Sequence, residues 1–202
     1  IYTVSGSHIK WGSGYIMFML PGYVICEKIH ESNSIKVYRR FTSGDETRVI
    51  IKATDKEPAD PISLYCLLNE YEITRNLDID GIVKPEKLEH TETHLALVMK
   101  DPEAVPLREY FQDFLPDLHK FLDIAIQLAD TLGQLHQKGI IHGNLKPENI
   151  LINTDTGKVY IKDFSSSLSL SQDKKNAPHP NNPMGTPEYM SPEQTGLLNM
   201  EV

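Results

Sequence analysis

A change of period constrains this fold more than any other feature. Residues 23–30, 34–41 and 47–53 alternate apolar and polar side chains with period two, which suits three strands, with Thr42-Ser43-Gly44-Asp45 as a hairpin loop. At Asp60-Pro61 the pattern turns helical. Asp is a good N-cap, and Pro is tolerated at the first helical position because its missing N–H would have no partner there. A helix of about four to five turns is expected, with Ile62, Tyr65, Leu68 and Ile73 as its apolar stripe. Residues 81–88 and 94–100 then suit two further strands.

Beyond residue 100 the character changes. Residues 106–115 suit a short helix and 117–138 a long one, with Leu122, Ile126, Ala129, Leu132 and His136 on one face and Gly139 as the residue that ends it. A polar loop over 140–147 comes next. Residues 149–153 and 158–162 suit a small hairpin around Thr156-Gly157. A long loop rich in Ser, Asn and Pro is expected over 165–184.

Composition narrows the function classes. The chain has 202 residues, with 20 Lys and Arg against 28 Asp and Glu, a net charge of −8. With 40% hydrophobic and 24% charged residues it suits a soluble globular domain, single or two-lobed. The acidic balance argues against sequence-independent nucleic-acid binding, which needs cations to neutralise phosphates. Cys26 and Cys66 lack CxxC spacing, which excludes a zinc ribbon or disulfide scaffold and fits a reducing cytosol. The apolar run over 15–20 is short, is followed by Pro21-Gly22 and has no cleavage site after it, so no membrane or secretory role is expected. His90 and His94 are four apart but lack an HExxH glutamate, so zinc is not expected there.

The chemistry concentrates in His142-Gly143-Asn144-Leu145-Lys146-Pro147-Glu148-Asn149, a short hairpin, and then Asp163-Phe164-Ser165. Asp163 follows Asn149 by 14 residues (163 − 149), room for that hairpin. This order resembles the protein-kinase pattern H-R-D-L-x-x-x-N followed by D-F-G. Gly185-Thr186-Pro187-Glu188-Tyr189-Met190-Ser191-Pro192-Glu193 is similar to the family's GTxxYMxPE segment, and Val49-Ile50-Ile51-Lys52 to V-A-I-K on the third strand. Glu70 falls where the ion-pair glutamate of the next helix belongs. More narrowly, Pro21-Gly22-Tyr23, Tyr71-Glu72-Ile73-Thr74, Gly81-Ile82-Val83-Lys84-Pro85 and Met190-Ser191-Pro192-Glu193-Gln194-Thr195-Gly196 are similar to the amino-terminal kinase-like domain of large hybrid sensor histidine kinases.

The resemblance implies an α+β, two-lobed fold that uses ATP and Mg²⁺. Residues 19–100 form the small lobe, 101–202 part of a mainly helical large lobe, and 1–18 an upstream segment of doubtful structure. It implies that Lys52 contacts the α and β phosphates and is held by Glu70. Asn149 and Asp163 would ligate Mg²⁺, and Lys146 would neutralise the γ-phosphate. Val37, Ile50, Met99 and Leu151 would form the adenine slot, with Ile50 crowding the ring in place of the usual Ala and Met99 at the gatekeeper place.

The departures matter as much. Asn144 stands at the catalytic Asp position, and an amide can orient a hydroxyl but cannot take its proton near neutral pH. Gly143 replaces the Arg that gathers a phosphorylated loop. The stretch over 29–35 has no glycine where family members have a Gly-rich phosphate loop, and Glu31 adds negative charge there. Pro102 falls at the hinge, where it offers adenine no N–H. Two expectations follow: a Ser/Thr-type kinase with weakened or lost transfer to a protein substrate, or a non-catalytic pseudokinase that regulates downstream domains of the same cytoplasmic signalling polypeptide. The start at Ile1 and the end nine residues after Glu193 (202 − 193) suggest a fragment whose long helix keeps an uncovered apolar face.

Overall fold

The computed structural model describes residues 8–10, 16–18, 23–32, 35–42, 47–54, 59–90, 94–112, 117–170 and 185–195. Pro21-Gly22, the 43–45 turn and most of the expected 165–184 loop lie outside the described residues. In chain order the strands are β1 (His8–Lys10), β2 (Ile16–Phe18), β3 (Tyr23–Ser32), β4 (Ile35–Thr42) and β5 (Arg48–Thr54). Helix α1 (Pro61–Thr74), β6 (Pro85–His90), β7 (Leu95–Lys100), β8 (Val105–Pro106), α2 (Leu107–Tyr110) and α3 (Leu118–Gln137) follow. The last are β9 (Ile140–Ile141), β10 (Ile150–Ile152), β11 (Val159–Ile161) and β12 (Leu168–Ser169). Strands β1 and β2 pair with each other, so the upstream segment contributes a small ladder.

Strands β3 to β7 form an antiparallel five-stranded sheet in the order β3-β4-β5-β7-β6. Central β5 is buried on both faces from Val49 to Thr54. One face joins Ile50 to Met99, Leu97, Leu67 and Leu151; the other packs Val49, Ile51 and Ala53 against Ala96 and Val98. Helix α1 begins as the sequence implies: Asp60 accepts from the Ser63 N–H at 3.0 Å, with Pro61 at the first turn.

Both long helices bury a face that overlaps only in part with the expected apolar stripe: Ile73 is buried and Leu132 packs against the core, but other stripe residues lie outside. On α1, Ile62 and Leu68 are exposed, while Ser63, Cys66, Leu67, Glu70, Ile73 and Thr74 are buried. The inward side must supply a carboxylate to the sheet, and that requirement sets the helix's rotation. On α3, Ile124, Thr131 and Leu135 are buried, while Leu118, Phe121, Leu122 and Ile126 are exposed. The inward face packs on β9 and β11, and Gln127 fixes it. Its amide donates to Gly157 O at 3.0 Å and accepts from the Val159 N–H at 3.1 Å. Helix α2 is one turn, shorter than the 106–115 helix expected.

The two lobes meet through backbone. Val83 N–H donates to Ile161 O (2.9 Å) and Ile161 N–H to Gly81 O (2.8 Å), so the segment after α1 runs beside β11. Ile73, Ile79, Ile82, Leu135, Ile140, Ile161 and Phe164 form one core there. Gly81 is required by close approach: a Cβ there would lie 2.0 Å from Thr131 Oγ1. Gly81→Ala should therefore overpack this seam and cost about 1–3 kcal/mol, visible as a lowered Tm. Adding Thr131→Ala should recover part of the loss. Additive losses in that double-mutant cycle would show that the two sites do not touch.

Candidate functional site

The site assembles at three element ends. Lys52 lies on β5, Glu70 on the inward face of α1, and Asp163 just after β11. The Lys52 ammonium donates to Glu70 Oε1 at 2.8 Å and Oε2 at 2.6 Å, and to Asp163 Oδ1 at 3.0 Å. Glu70 Oε1 also accepts the Phe164 N–H at 3.3 Å. Burial alone would lower the Lys52 pKa, but the charges of Asp163 and Glu70 reverse that and hold it above the ordinary lysine value. Burial likewise opposes ionisation of Asp163, yet Lys52 and the Ser165 hydroxyl hold its carboxyl well below the usual range. Glu70 is raised by burial, with Lys52 opposing. Asp163 has a left-handed backbone, φ 69°, which Asp tolerates better than most residues.

Asn69, which the sequence reading did not single out, holds the segment after Asp163. Its amide donates to Ser165 O and Ser167 O, both at 3.0 Å. His142 is buried, bonds Lys162 O through Nε2 at 3.0 Å and packs edge-on to Phe164. Burial lowers its pKa, so it stays neutral.

The polar loop carries Asn144 and Lys146. Lys146 donates to the Thr186 hydroxyl at 2.6 Å, and that hydroxyl lies 3.4 Å from Asn144 Oδ1. Gln194 Nε2 donates to Gly143 O at 2.9 Å. Thr186 and Gln194, neither given a role from sequence, thus tie the 185–195 segment to this loop. Both stand within stretches that carry the family resemblance, Thr186 in 185–193 and Gln194 in 190–196. Gly143 has φ 76°, and a Cβ there would come within 2.5 Å of Ser166 O.

Asn149 Nδ2 donates to Asn144 O at 2.9 Å, which leaves Oδ1 as the acceptor end of its amide. Asp163 Oδ2 accepts no bond from a described residue. Among the described residues, no group of three or more His, Cys, Asp or Glu side chains gathers. One carboxylate and one amide oxygen fit Mg²⁺, which keeps several waters and takes other ligands from phosphate.

Val37, Ile50, Met99 and Leu151 all belong to one apolar cluster. At the hinge, Asp101 N–H donates to Arg48 O (3.2 Å) and Glu103 N–H to Asp101 Oδ1 (2.9 Å), while the Asp101 carboxylate pairs with Arg39 at 2.8 Å. Between them Pro102 has no N–H. Glu31 lies between Lys28 (2.5 Å) and Lys36 (3.8 Å), so its charge is partly balanced. Among the described residues, no helix is long and apolar enough to cross a membrane.

A β-sheet lobe carrying a buried lysine–glutamate pair, joined to an Asp-Phe turn and a polar loop, defines a kinase-type scaffold. The protein kinase domain pattern matches residues 23–200, and the chain belongs to that family. It is 27% identical to the serine/threonine-protein kinase ULK3 of Rattus norvegicus over 90% of this chain and 38% of the relative. It is 28% identical to MAP3K epsilon protein kinase 1 of Arabidopsis thaliana over 85% of this chain and 12% of the relative. It is 31% identical to the serine/threonine-protein kinase PrkC of Bacillus subtilis over 69% of this chain and 23% of the relative. The chain spans well under half the length of these curated relatives.

Replacing Lys52 by Met should leave two carboxylates without their cation and destabilise the fold by about 3–5 kcal/mol. The loss arises from uncompensated negative charge, and the unpaired carboxylates acquire raised folded-state pKa values. The deficit against wild type should therefore narrow as pH falls from about 7 towards about 5, in paired thermal melts. A deficit independent of pH would mean that packing, not charge, carries the effect.

Proposed function

We propose that this chain is a protein-kinase-like domain that binds Mg²⁺·ATP and whose transfer to Ser/Thr protein substrates is weakened or lost. The supporting observation is an intact Lys52–Glu70–Asp163 constellation beside a loop whose central polar group is Asn144. Lys52, fixed by Glu70, binds the α and β phosphates. Asn149 and Asp163 would hold Mg²⁺, which would supply neutralisation of phosphate charge when bound. Lys146 faces the γ-phosphate. Val37, Ile50, Met99 and Leu151 enclose the adenine. With Pro102 in the hinge and the neighbouring N–H groups already bonded, apolar contact holds the base more than hydrogen bonding does.

Asn144 orients a substrate hydroxyl without accepting its proton. Loss of a general base costs about 10²–10⁴-fold, and the loose phosphoryl transition state leaves room for residual transfer. The second reading is a pseudokinase that regulates or scaffolds downstream domains of a cytoplasmic signalling protein related to hybrid sensor histidine kinases. The bonded hinge and Gly143 favour it. The domain boundaries at residues 19–100 and 101–202 belong to the same proposal.

Calorimetric titration should show Mg²⁺-dependent ATP binding that weakens at least about tenfold in Lys52→Ala. Binding absent from wild type, or unchanged in the variant, defeats the first reading. Asn144→Asp should raise phosphotransfer to a generic substrate by about tenfold or more. Equal rates in wild type and variant would show that Asn144 does not limit transfer.

A further inference from the structure

The two carboxylate oxygens of Asp163 have very different surroundings. Oδ1 accepts twice, from the Lys52 ammonium at 3.0 Å and from the Ser165 hydroxyl at 3.1 Å. An ionised carboxylate only accepts, so the hydroxyl is the donor. Each carboxylate oxygen has about two lone-pair sites, and both sites of Oδ1 are taken. Oδ2 accepts from no described residue.

Of the two donors, Ser165 is the one that stays. The Lys52 ammonium has three protons. Glu70 Oε1 (2.8 Å), Glu70 Oε2 (2.6 Å) and Asp163 Oδ1 (3.0 Å) accept from it. A phosphate that binds Lys52 must displace one of these, and the bond to Asp163 is the longest. The backbone around Ser165 is pinned on both sides. Phe164 is fully buried and its N–H donates to Glu70 Oε1 at 3.3 Å. Asn69 Nδ2 donates to Ser165 O at 3.0 Å, and the Ser167 N–H donates to Phe164 O at 3.1 Å. The hydroxyl therefore keeps its place against Oδ1 after Lys52 has turned to a phosphate.

The consequence is for the number of cations. Divalent ions paired about 3.5–4 Å apart need a carboxylate with an oxygen for each. In phosphoryl transfer by this family the pair is held by an Asp and an Asn in these places. Here Asn149 brings one amide oxygen and Asp163 brings Oδ2. Among the described residues no group of three or more His, Cys, Asp or Glu side chains gathers to replace the oxygen that Ser165 occupies.

We propose that Ser165 sets the metal stoichiometry of the cleft: its hydroxyl reserves Asp163 Oδ1, so the carboxylate has a single oxygen to offer and the nucleotide is held with one divalent cation rather than two. The inference rests on the Mg²⁺·ATP reading above and concerns a residue to which that reading assigns no role.

The test counts Mn²⁺, which suits the same oxygen ligands as Mg²⁺ and is paramagnetic. Mn²⁺ is titrated into the full chain, with protein in excess over ATP, and followed by electron paramagnetic resonance. Wild type should bind one Mn²⁺ per ATP, with no second ion at up to about tenfold the concentration that fills the first site. Ser165→Ala should bind two, the second within about tenfold of the first in affinity, with the line broadening of two neighbouring paramagnetic ions. Ser165→Thr, which keeps the hydroxyl, should bind one. If the Ala variant melts too low to titrate, Ser165→Gly gives the same readout. A single Mn²⁺ in the variant without the hydroxyl, or two in Ser165→Thr, would overturn the inference. Two in wild type would overturn it and leave the nucleotide-binding reading standing. A Mn²⁺·ATP signal that the protein does not alter would overturn both.

Discussion

A single ammonium organises this molecule. Lys52 joins β5 to a helix residue 18 positions away and to a large-lobe residue 111 positions away. A buried ion pair adds little net stability against a well-packed apolar substitute, because desolvation offsets its attraction. Its effect is on geometry. Two carboxylates in low dielectric have one acceptable arrangement around their cation, so α1, the sheet and the Asp163 turn are fixed relative to one another. The inward rotation of α1, with Ile62 and Leu68 outside, follows from that requirement. The protonation pattern follows too: the lysine stays charged and Asp163 ionised.

The polar loop is organised differently. Asn144, Lys146, Thr186 and Asn149 are linked by hydrogen bonds, and Gln194 bonds the neighbouring Gly143 carbonyl, with one formal charge among them. Such a network positions groups well, since each amide has distinct donor and acceptor ends. It does not move protons near neutral pH. The small-lobe side of the cleft is therefore strongly ionic, and the loop side is largely an orienting surface.

Much of the fold was legible because period carries it. The strands over 23–53 and 94–100 appear within a residue or two of their expected limits, as do the α1 start at Asp60-Pro61 and the hairpin at Thr156-Gly157. Helix faces were less legible. Counting apolar residues selects Ile62–Leu68 and Leu122–Ile126, but tertiary demands chose sides containing Ser63, Glu70 and Thr131. The two-residue strands β8, β9 and β12 are too short to show a period. Within the site, motif order brought Lys52, Glu70, Asn149 and Asp163 to attention. Asn69 and Gln194 act through backbone carbonyls, which no side-chain pattern reveals.

Gly143 bears on the chain's evolutionary options. Its left-handed backbone lies so close to the Ser166 carbonyl that any side chain must first displace that carbonyl. Ser166 belongs to the stretch that Asn69 pins to α1 and that Ser167 bonds to His142 O at 2.9 Å. An arginine could be accommodated at 143 only together with changes in this second segment. The position therefore behaves as a lock: with the two backbones this close, a single mutation cannot place a side chain there without moving both.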